Sequence, residues 1–319
     1  MKITSFPKLS IVTLSLFILL VGSSCEEEPN IEPEVSHLVV QLEELGFTRF
    51  VDALEAADLV DTLTSIESLT ILGPSNYALD NYLSSWVFWG YEDFDEIPQN
   101  ELRKMLYYHL IPGIVKGDEF VFGNSFETLD RSGPHGESLS IHVDSILAMS
   151  LNRQSGIADY DIETNNGVVH RLSNMLKRPD LSDFLRLYAL RSSFSTAVSL
   201  AHLVGTLKGE KPITIFVPTE EAIEQFLEIR NVNGLYQLTR EELAELIGRH
   251  IVDGNTREAA LKKLVGSGNT ELATHNANSS ISLSLKNGHI MLDSTAQLLW
   301  TDHQASNGVM HFIDKVLVP

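Results

Sequence analysis

Between Lys211 and Phe226 the apolar positions change period. Ile213–Val217 is an unbroken β-branched and aromatic run, the composition of a buried strand. Pro218 has no N–H to offer a sheet ladder, so the strand is expected to stop there. Beyond it Ala222, Ile223 and Phe226 share one helical face. Thr219 is a good N-cap, and Glu220 and Glu221 fall in the first turn, where the helix macrodipole favours negative charge. The segment predicts strand, proline stop, capped helix. Other stretches keep a single period. Phe47, Phe50, Val51 and Leu54 have helical spacing, as do Phe194, Ala197, Val198 and Ala201. An added helical stretch carries Leu181, Phe184, Leu185 and Tyr188. Leu139, Ile141 and Val143 alternate like a strand, as do Ile281, Leu283 and Leu285. Asn287-Gly288 then supplies a hairpin turn into His289–Leu292. Helices followed by runs of strands indicate an α+β fold.

The pattern occurs twice. Thr70, Pro74 and Ala78 recur as Thr214, Pro218 and Ala222, 144 residues on, with Ser75 in the earlier cap position. Asn166-Gly167-Val168-Val169-His170 recurs as Asn307-Gly308-Val309-Met310-His311, 141 residues on. Leu106-Tyr107-Tyr108-His109 pairs with Ile247-Gly248-Arg249-His250 at the same offset. A shared offset of that length points to a duplicated domain rather than a solenoid repeat. These boxes resemble the fasciclin-like domain family, in which a strand-proline-helix box, a Tyr-His box and a closing Asn-Gly-apolar-apolar-His strand follow in order. The second copy departs at Arg249, where the family has Tyr, and the first has Gly73 and Ser75 around its proline. The resemblance implies two tandem fasciclin-like domains, each a β-wedge or sandwich with packed helices. We expect them at residues 36–178 and 179–319, joined closely through Lys177-Arg178-Pro179-Asp180.

Residues 1–24 have the make-up of a targeting segment. Lys2 and Lys8 precede the apolar core Ile11–Val21, too short to span a bilayer, and Gly22-Ser23-Ser24 follow. Cys25 is the sole cysteine and has no disulfide partner. Its position resembles a bacterial lipoprotein processing site, although Gly22 stands where Leu is usual. An ordinary signal peptide with an incidental cysteine is the alternative. Residues 25–35, with Glu26-Glu27-Glu28-Pro29, read as an acidic flexible tether whose first ten residues reach at most ~35 Å. The acidic run also resembles a surface-export signal of some lipoproteins, or is simply a solvated linker.

Charge and chemistry narrow the function. A net charge of −20 argues against nucleic acid and against electrostatic adsorption to anionic lipid. His109, His170, His250 and His311 invite a metal hypothesis, but no HxxxH, HExxH or CxxC spacing accompanies them. We expect core histidines hydrogen-bonded to backbone, no metal and no cofactor. Asp159, Asp161 and Glu163 superficially resemble a calcium loop, yet Thr164 replaces the turn glycine and Arg171 the bidentate Glu. The resemblance makes Tyr108 and His109 a candidate adhesion motif. Trp86, Phe88, Trp89 and Tyr91, interleaved with acids, are candidate ligand-binding residues; completing the first domain's core, or packing between the domains, is the other reading. No nucleophile elbow, P-loop or dinucleotide fingerprint is present. The expectation is therefore a non-enzymatic binding protein of the bacterial envelope, on the outer membrane, anchored in the lipid bilayer through acylated Cys25. Its partner would be an extracellular protein or glycan. The alternatives are a glycan-processing enzyme or uptake subunit, and a structural spacer without a ligand.

Overall fold

A computed structural model of the chain describes residues 37–86, 91–144, 150–188, 193–276 and 279–318, without the side chains of 86, 187 and 188. These described residues form one compact unit. Its first half runs α1 (His37–Glu44), α2 (Thr48–Ala56), α3 (Val60–Thr64), β1 (Leu69–Pro74), α4 (Asn76–Trp86) and α5 (Gln99–Tyr107). Strands follow: β2 (Leu110–Pro112), β3 (Ser125–Glu127), β4 (Ser140–His142), β5 (Ser150–Leu151), β6 (Ser155–Thr164) and β7 (Gly167–Leu172). The second half repeats the plan with α6 (Leu181–Tyr188), α7 (Ser193–Leu200), α8 (Val204–Leu207), β8 (Ile213–Pro218), α9 (Glu220–Arg230) and α10 (Arg240–Arg249). It closes with β9 (Ile251–Asp253), α11 (Glu258–Gly266), β10 (Glu271–Ala273), β11 (Ser280–Lys286), β12 (His289–Leu292), β13 (Ala296–Gln297), β14 (His303–Ala305) and β15 (Gly308–Ile313). The α+β expectation and the tandem arrangement both hold.

The proline box forms as its sequence dictates. β8 ends at Pro218, and the Thr219 hydroxyl accepts from the Ala222 amide, 3.3 Å away, to start α9. Ser75 does the same for Ala78 at 3.2 Å. Continuous apolarity in β8 reflects burial on both faces. Ile213, Ile215 and Val217 pack among the helices, whereas Phe216 faces a second core beneath β10–β13. In β1, Leu69 and Ile71 face the helices, and Leu72 faces the strands with Tyr108, Leu139 and Ile141. Each half therefore has a helical core and a strand core on opposite sides of one central sheet.

That sheet is closed by its last strand. β7 runs parallel to β1, Leu69 opposite Gly167, and β15 runs parallel to β8, Ile213 opposite Gly308. The glycines are required by close approach: a Cβ on Gly167 would lie 1.8 Å from the Leu69 carbonyl oxygen, and one on Gly308 would lie 2.1 Å from that of Ile213. The preceding asparagines tie the junction to the helices. Asn166 donates to the carbonyls of Leu63 and Ile66, and Asn307 to those of Leu207 and Gly209.

The two alternating stretches form β4 and β11, and burial adds a detail to each. Alternation at Leu139, Ile141 and Val143 leaves Ser140 and His142 on the opposite face, yet both are buried because β14 of the second half lies on that side. Leu285 alternates with Ile281 and Leu283 but is 47% exposed, since it sits beside the Asn287-Gly288 turn, beyond the strand core. That turn has φ of 53° and 83°, as a two-residue hairpin requires.

Adding a methyl group by Gly167→Ala or Gly308→Ala should lower the stability of the corresponding half by about 3 kcal/mol, because the parallel pair must separate. Urea unfolding followed by far-UV circular dichroism measures this, and an unmoved midpoint would contradict the close approach.

Candidate functional site

The repeated histidines are buried pins between backbone segments. His109 Nδ1 donates to the Met105 carbonyl (2.8 Å), and its Nε2 accepts from the Leu176 amide (3.0 Å). His250 repeats this with Leu246 (2.8 Å) and Leu317 (3.0 Å). His170 Nε2 donates to the Val115 carbonyl (2.9 Å) while Nδ1 accepts from Asp161 N–H; His311 does so with Thr256 (3.0 Å) and Asp302. Thr70 and Thr214 complete each clamp, donating to Gly113 and Gly254 and accepting from Val115 and Thr256. Each ring donates from one nitrogen and accepts at the other, so each is held neutral. Burial is the dominant cause, pushing His109 and His250 down to about 4 and lowering His170 and His311. Among the described residues no group of three or more His, Cys, Asp or Glu is arranged to hold a metal ion.

Tyr108 is fully buried; its hydroxyl donates to the Ser140 carbonyl (2.8 Å) and accepts from Asn152 Nδ2 (2.7 Å). Arg249, the departure from the family pattern, reaches Asp293, the counterpart of Asn152 at the same offset. One guanidinium nitrogen donates to the Ser279 hydroxyl and another to Asp293 at 2.6 Å. Asn152 and Asp293 occupy equivalent tight turns and accept from the backbone amides of His142 and Ser282, both at 2.9 Å. Tyr with Asn has thus been exchanged for Arg with Asp. With no exposed surface, Tyr108 and His109 present nothing to a partner on the folded domain.

Other singled-out residues fall elsewhere. Phe88, Trp89 and the Trp86 side chain lie outside the described residues, as do Cys25 and the whole of 1–36. Tyr91 is half-buried and packs against the helical core of the first half. Asp159 and Asp161 lie on bulged β6, where Asp159 pairs with Arg171 and Asp161 accepts from the Gly117 amide. These carboxylates serve the strands rather than a calcium loop.

A different cluster lies where the halves meet. Ser140 Oγ donates to the Asp302 carbonyl (3.1 Å) and accepts from the Gln304 amide (2.9 Å), bridging β4 to β14. Arg257 of the second half binds Glu137 (2.8 Å) and Glu127 of the first, with Asp302 3.5 Å away. Burial opposes its charge, but the three carboxylates outweigh that and hold its pKa above the ordinary value. Beside these contacts the rings of His142 and His303 meet edge to face, centroids 4.4 Å apart. His303 packs on Phe312 (5.4 Å), Phe312 on Trp300 (5.5 Å), and Trp300 on Phe122 (6.5 Å). This aromatic series borders a cleft of about 170 Å3 lined by Phe122, Gly123, His142, Asp144, Arg153, Trp300 and Phe312. Asp144 is nearly buried there. Burial raises its carboxyl to about 6, against the opposing pull of Ser150 and Arg153. Burial takes His142 down to about 4 and His303 well below its usual value. The sequence did carry one sign of this site: His142 and His303 break the repeat, standing opposite Leu283 and Ile162.

These features define a tandem of one α+β domain, each copy closed by parallel pairing of its first and last strands. The chain belongs to the fasciclin domain family, whose model matches residues 45–178 and 190–319. It is 25% identical over 260 residues to transforming growth factor-beta-induced protein ig-h3 of Sus scrofa, covering 79% of this chain and 35% of that protein. It is 30% identical over 128 residues to protein sll1483 of Synechocystis, covering 40% of this chain and 67% of that one. The chain thus spans about a third of the length of the first of these relatives. The solved FAS1 domain pair from the insect cell adhesion molecule fasciclin I superposes with a TM-score of 0.51 at 18% identity, over 87% of this chain and 98% of that one. Among the described residues no helix is long and apolar enough to cross a membrane.

Replacing Arg249 by Met strands the Asp293 carboxylate and should destabilise the second domain by about 1–3 kcal/mol. The double change R249Y/D293N installs the first domain's pair and should recover most of the loss in thermal melts; equal losses would contradict the exchange.

The histidines set a pH dependence. Their folded pKa values lie below the unfolded value, so the stability they contribute is complete above about 6.5 and is lost as pH falls toward 4. Asp144 acts oppositely, its contribution fading as pH rises through about 6. Six lowered histidines outweigh the two raised carboxyls of Asp144 and Asp130, so the melting temperature should decline between pH 6.5 and 4. His250→Gln should make the decline shallower by about one proton. A flat profile down to pH 4 would refute this.

Proposed function

We propose that this chain is a binding protein of the bacterial cell envelope that works in adhesion or surface assembly through protein or glycan contacts. In this reading residues 1–24 direct export, Cys25 is acylated, and residues 25–35 tether the paired domains to the membrane. Family membership supports a binding role in general, and the insect fasciclin I pair comes from a cell adhesion molecule. The observation that carries the reading is the seam between the domains. Hydrogen bonds through Ser140 and ion pairs through Arg257 join the copies into one body with Phe122 and Trp300 left 53% and 44% exposed beside a cleft. Large aromatic rings held on a rigid frame and left accessible are suited to contact a partner. A glycan-processing enzyme finds less support, since the repeated histidines have both ring nitrogens engaged with backbone.

The anchor is tested by Cys25→Ser. More than one acyl chain gives stable retention where a single chain is marginal. The variant should move from the membrane to the soluble fraction, and cells carrying it should lose attachment to their native surface. Unchanged membrane fractionation would overturn the anchoring.

A further inference from the structure

One contact of the seam has no counterpart in the repeat. His142 ends β4 of the first domain and His303 begins β14 of the second, and their rings meet edge to face with centroids 4.4 Å apart. At the repeat offset of 141 residues the matching positions hold Leu283 and Ile162. An aliphatic pair would fill such a place with no polar atom to desolvate. Both imidazoles are nearly inaccessible, at 5% and 1% exposure. The other buried histidines are placed differently. His109, His170, His250 and His311 each pin backbone segments of their own domain, so water reaches them only when that domain unfolds. His142 and His303 cover each other from separate domains. Parting the domains hydrates both rings at once.

The contacts that hold the seam are few and polar. Ser140 bridges the Asp302 carbonyl and the Gln304 amide, and Arg257 binds Glu127 and Glu137 across it. Charged groups surround the ring pair on both sides. Asp144 and Arg153 of the first domain line the cleft with His142. In the second domain His303 faces His311, which in turn meets Asp302, Glu258 and Arg257. A proton on either ring of the closed seam is a charge held away from water. A second proton would set two like charges against each other at 4.4 Å.

We propose that the His142–His303 pair makes the domain seam an acid-released latch. At neutral pH two uncharged rings close it; proton uptake by both parts the domains while each stays folded. The latch is independent of what the protein binds.

Linkage gives the sign and the size. Burial lowers His142 to about 4 and His303 well below its usual value, whereas hydrated imidazoles titrate at about 6.5. The seam is therefore at full strength above about 6.5 and weakens below it, because the open form takes up two protons that the closed form refuses until about 4. Asp144 opposes this: burial raises its carboxyl to about 6, so the closed form gains a proton there before the open form does. Two protons against one leave a net of one. The ratio of closed to open forms should fall about tenfold for each pH unit between about 6 and about 4.

The test follows Trp300, which packs on Phe122 across the seam. In the full chain carrying Trp86→Phe and Trp89→Phe it is the sole tryptophan. Acrylamide quenching, small-angle X-ray scattering and far-UV circular dichroism are recorded on the same samples from about pH 7.5 down to about pH 4. Trp300 is 44% exposed with the seam closed, so opening should raise its quenching about twofold and enlarge the radius of gyration while the dichroism stays constant. Return to neutral pH should reverse both changes. His142→Leu combined with His303→Ile installs the residues found at the matching positions, and should keep Trp300 shielded until the dichroism itself is lost. His303→Gln, uncharged at every pH, removes one proton from the response and serves as the second variant should the pair fail to fold. Asp144→Asn should steepen the response from about one proton to about two. The proposal is overturned if Trp300 stays shielded until the dichroism collapses, or if quenching rises with no change in the radius of gyration. It is equally overturned if the histidine-free seam opens at the parent's pH.

Discussion

Each domain depends on the pairing of its first central strand with its last. Leu69 must find Gly167 and Ile213 must find Gly308, across nearly a hundred residues of chain. Closing so long a loop is entropically unfavourable until the partner strand is in place. The glycine, asparagine, threonine and histidines that recur between the halves serve this closure. Glycine permits the backbones to touch, asparagine ties the entry of the strand to the helical layer, threonine and the second histidine hold the neighbouring loop, and the first histidine grips the segment beyond the last strand. What reads as a set of short motifs is therefore one clamp, distributed along the chain and made twice.

This accounts for how much of the molecule was legible in the sequence. The clamp needs specific residues at specific separations, so a constant offset exposes it, and the strand-proline-helix element is visible because its apolar period changes at Pro218. The burial of the histidines followed from their apolar surroundings and the missing ligand spacings. The seam was not legible in this way. Its residues come from β4, the β5–β6 turn and the segment around β14, and no local period marks a face that the other domain will cover. Ser140 and His142 alternate with apolar neighbours as solvent-facing residues do, and nothing near them in sequence says that Gln304 and His303 will arrive. Trp300 was overshadowed by the two tryptophans grouped at residues 86 and 89. The one hint was a pair of histidines without counterparts in the repeat.

The copies have diverged where they need not be alike. The clamp is preserved almost atom for atom, whereas the seam is asymmetric because each copy offers it a different edge: β4 from one, β14 from the other. A polar bridge at Ser140 and an ionic one at Arg257, which meet at Asp302, fix the relative orientation beside the aromatic series. The geometry between the domains is thereby set by directional contacts and not by apolar burial alone, which tolerates sliding.

The Tyr-to-Arg exchange has a consequence for folding. Two domains with the same closing register on one chain are at risk of trading closing segments, a characteristic failure of tandem repeats. The segment that closes the first domain carries Asn152, and the one that closes the second carries Asp293. A trade would set the Asp293 carboxylate against the phenol of Tyr108 in a fully buried site and leave the guanidinium of Arg249 facing a neutral amide. Each hybrid would lack its matching partner, and each would hold a charge without an opposite one beside it. The pair at this position therefore works as an address, marking which closing segment belongs to which domain while the strands themselves remain interchangeable.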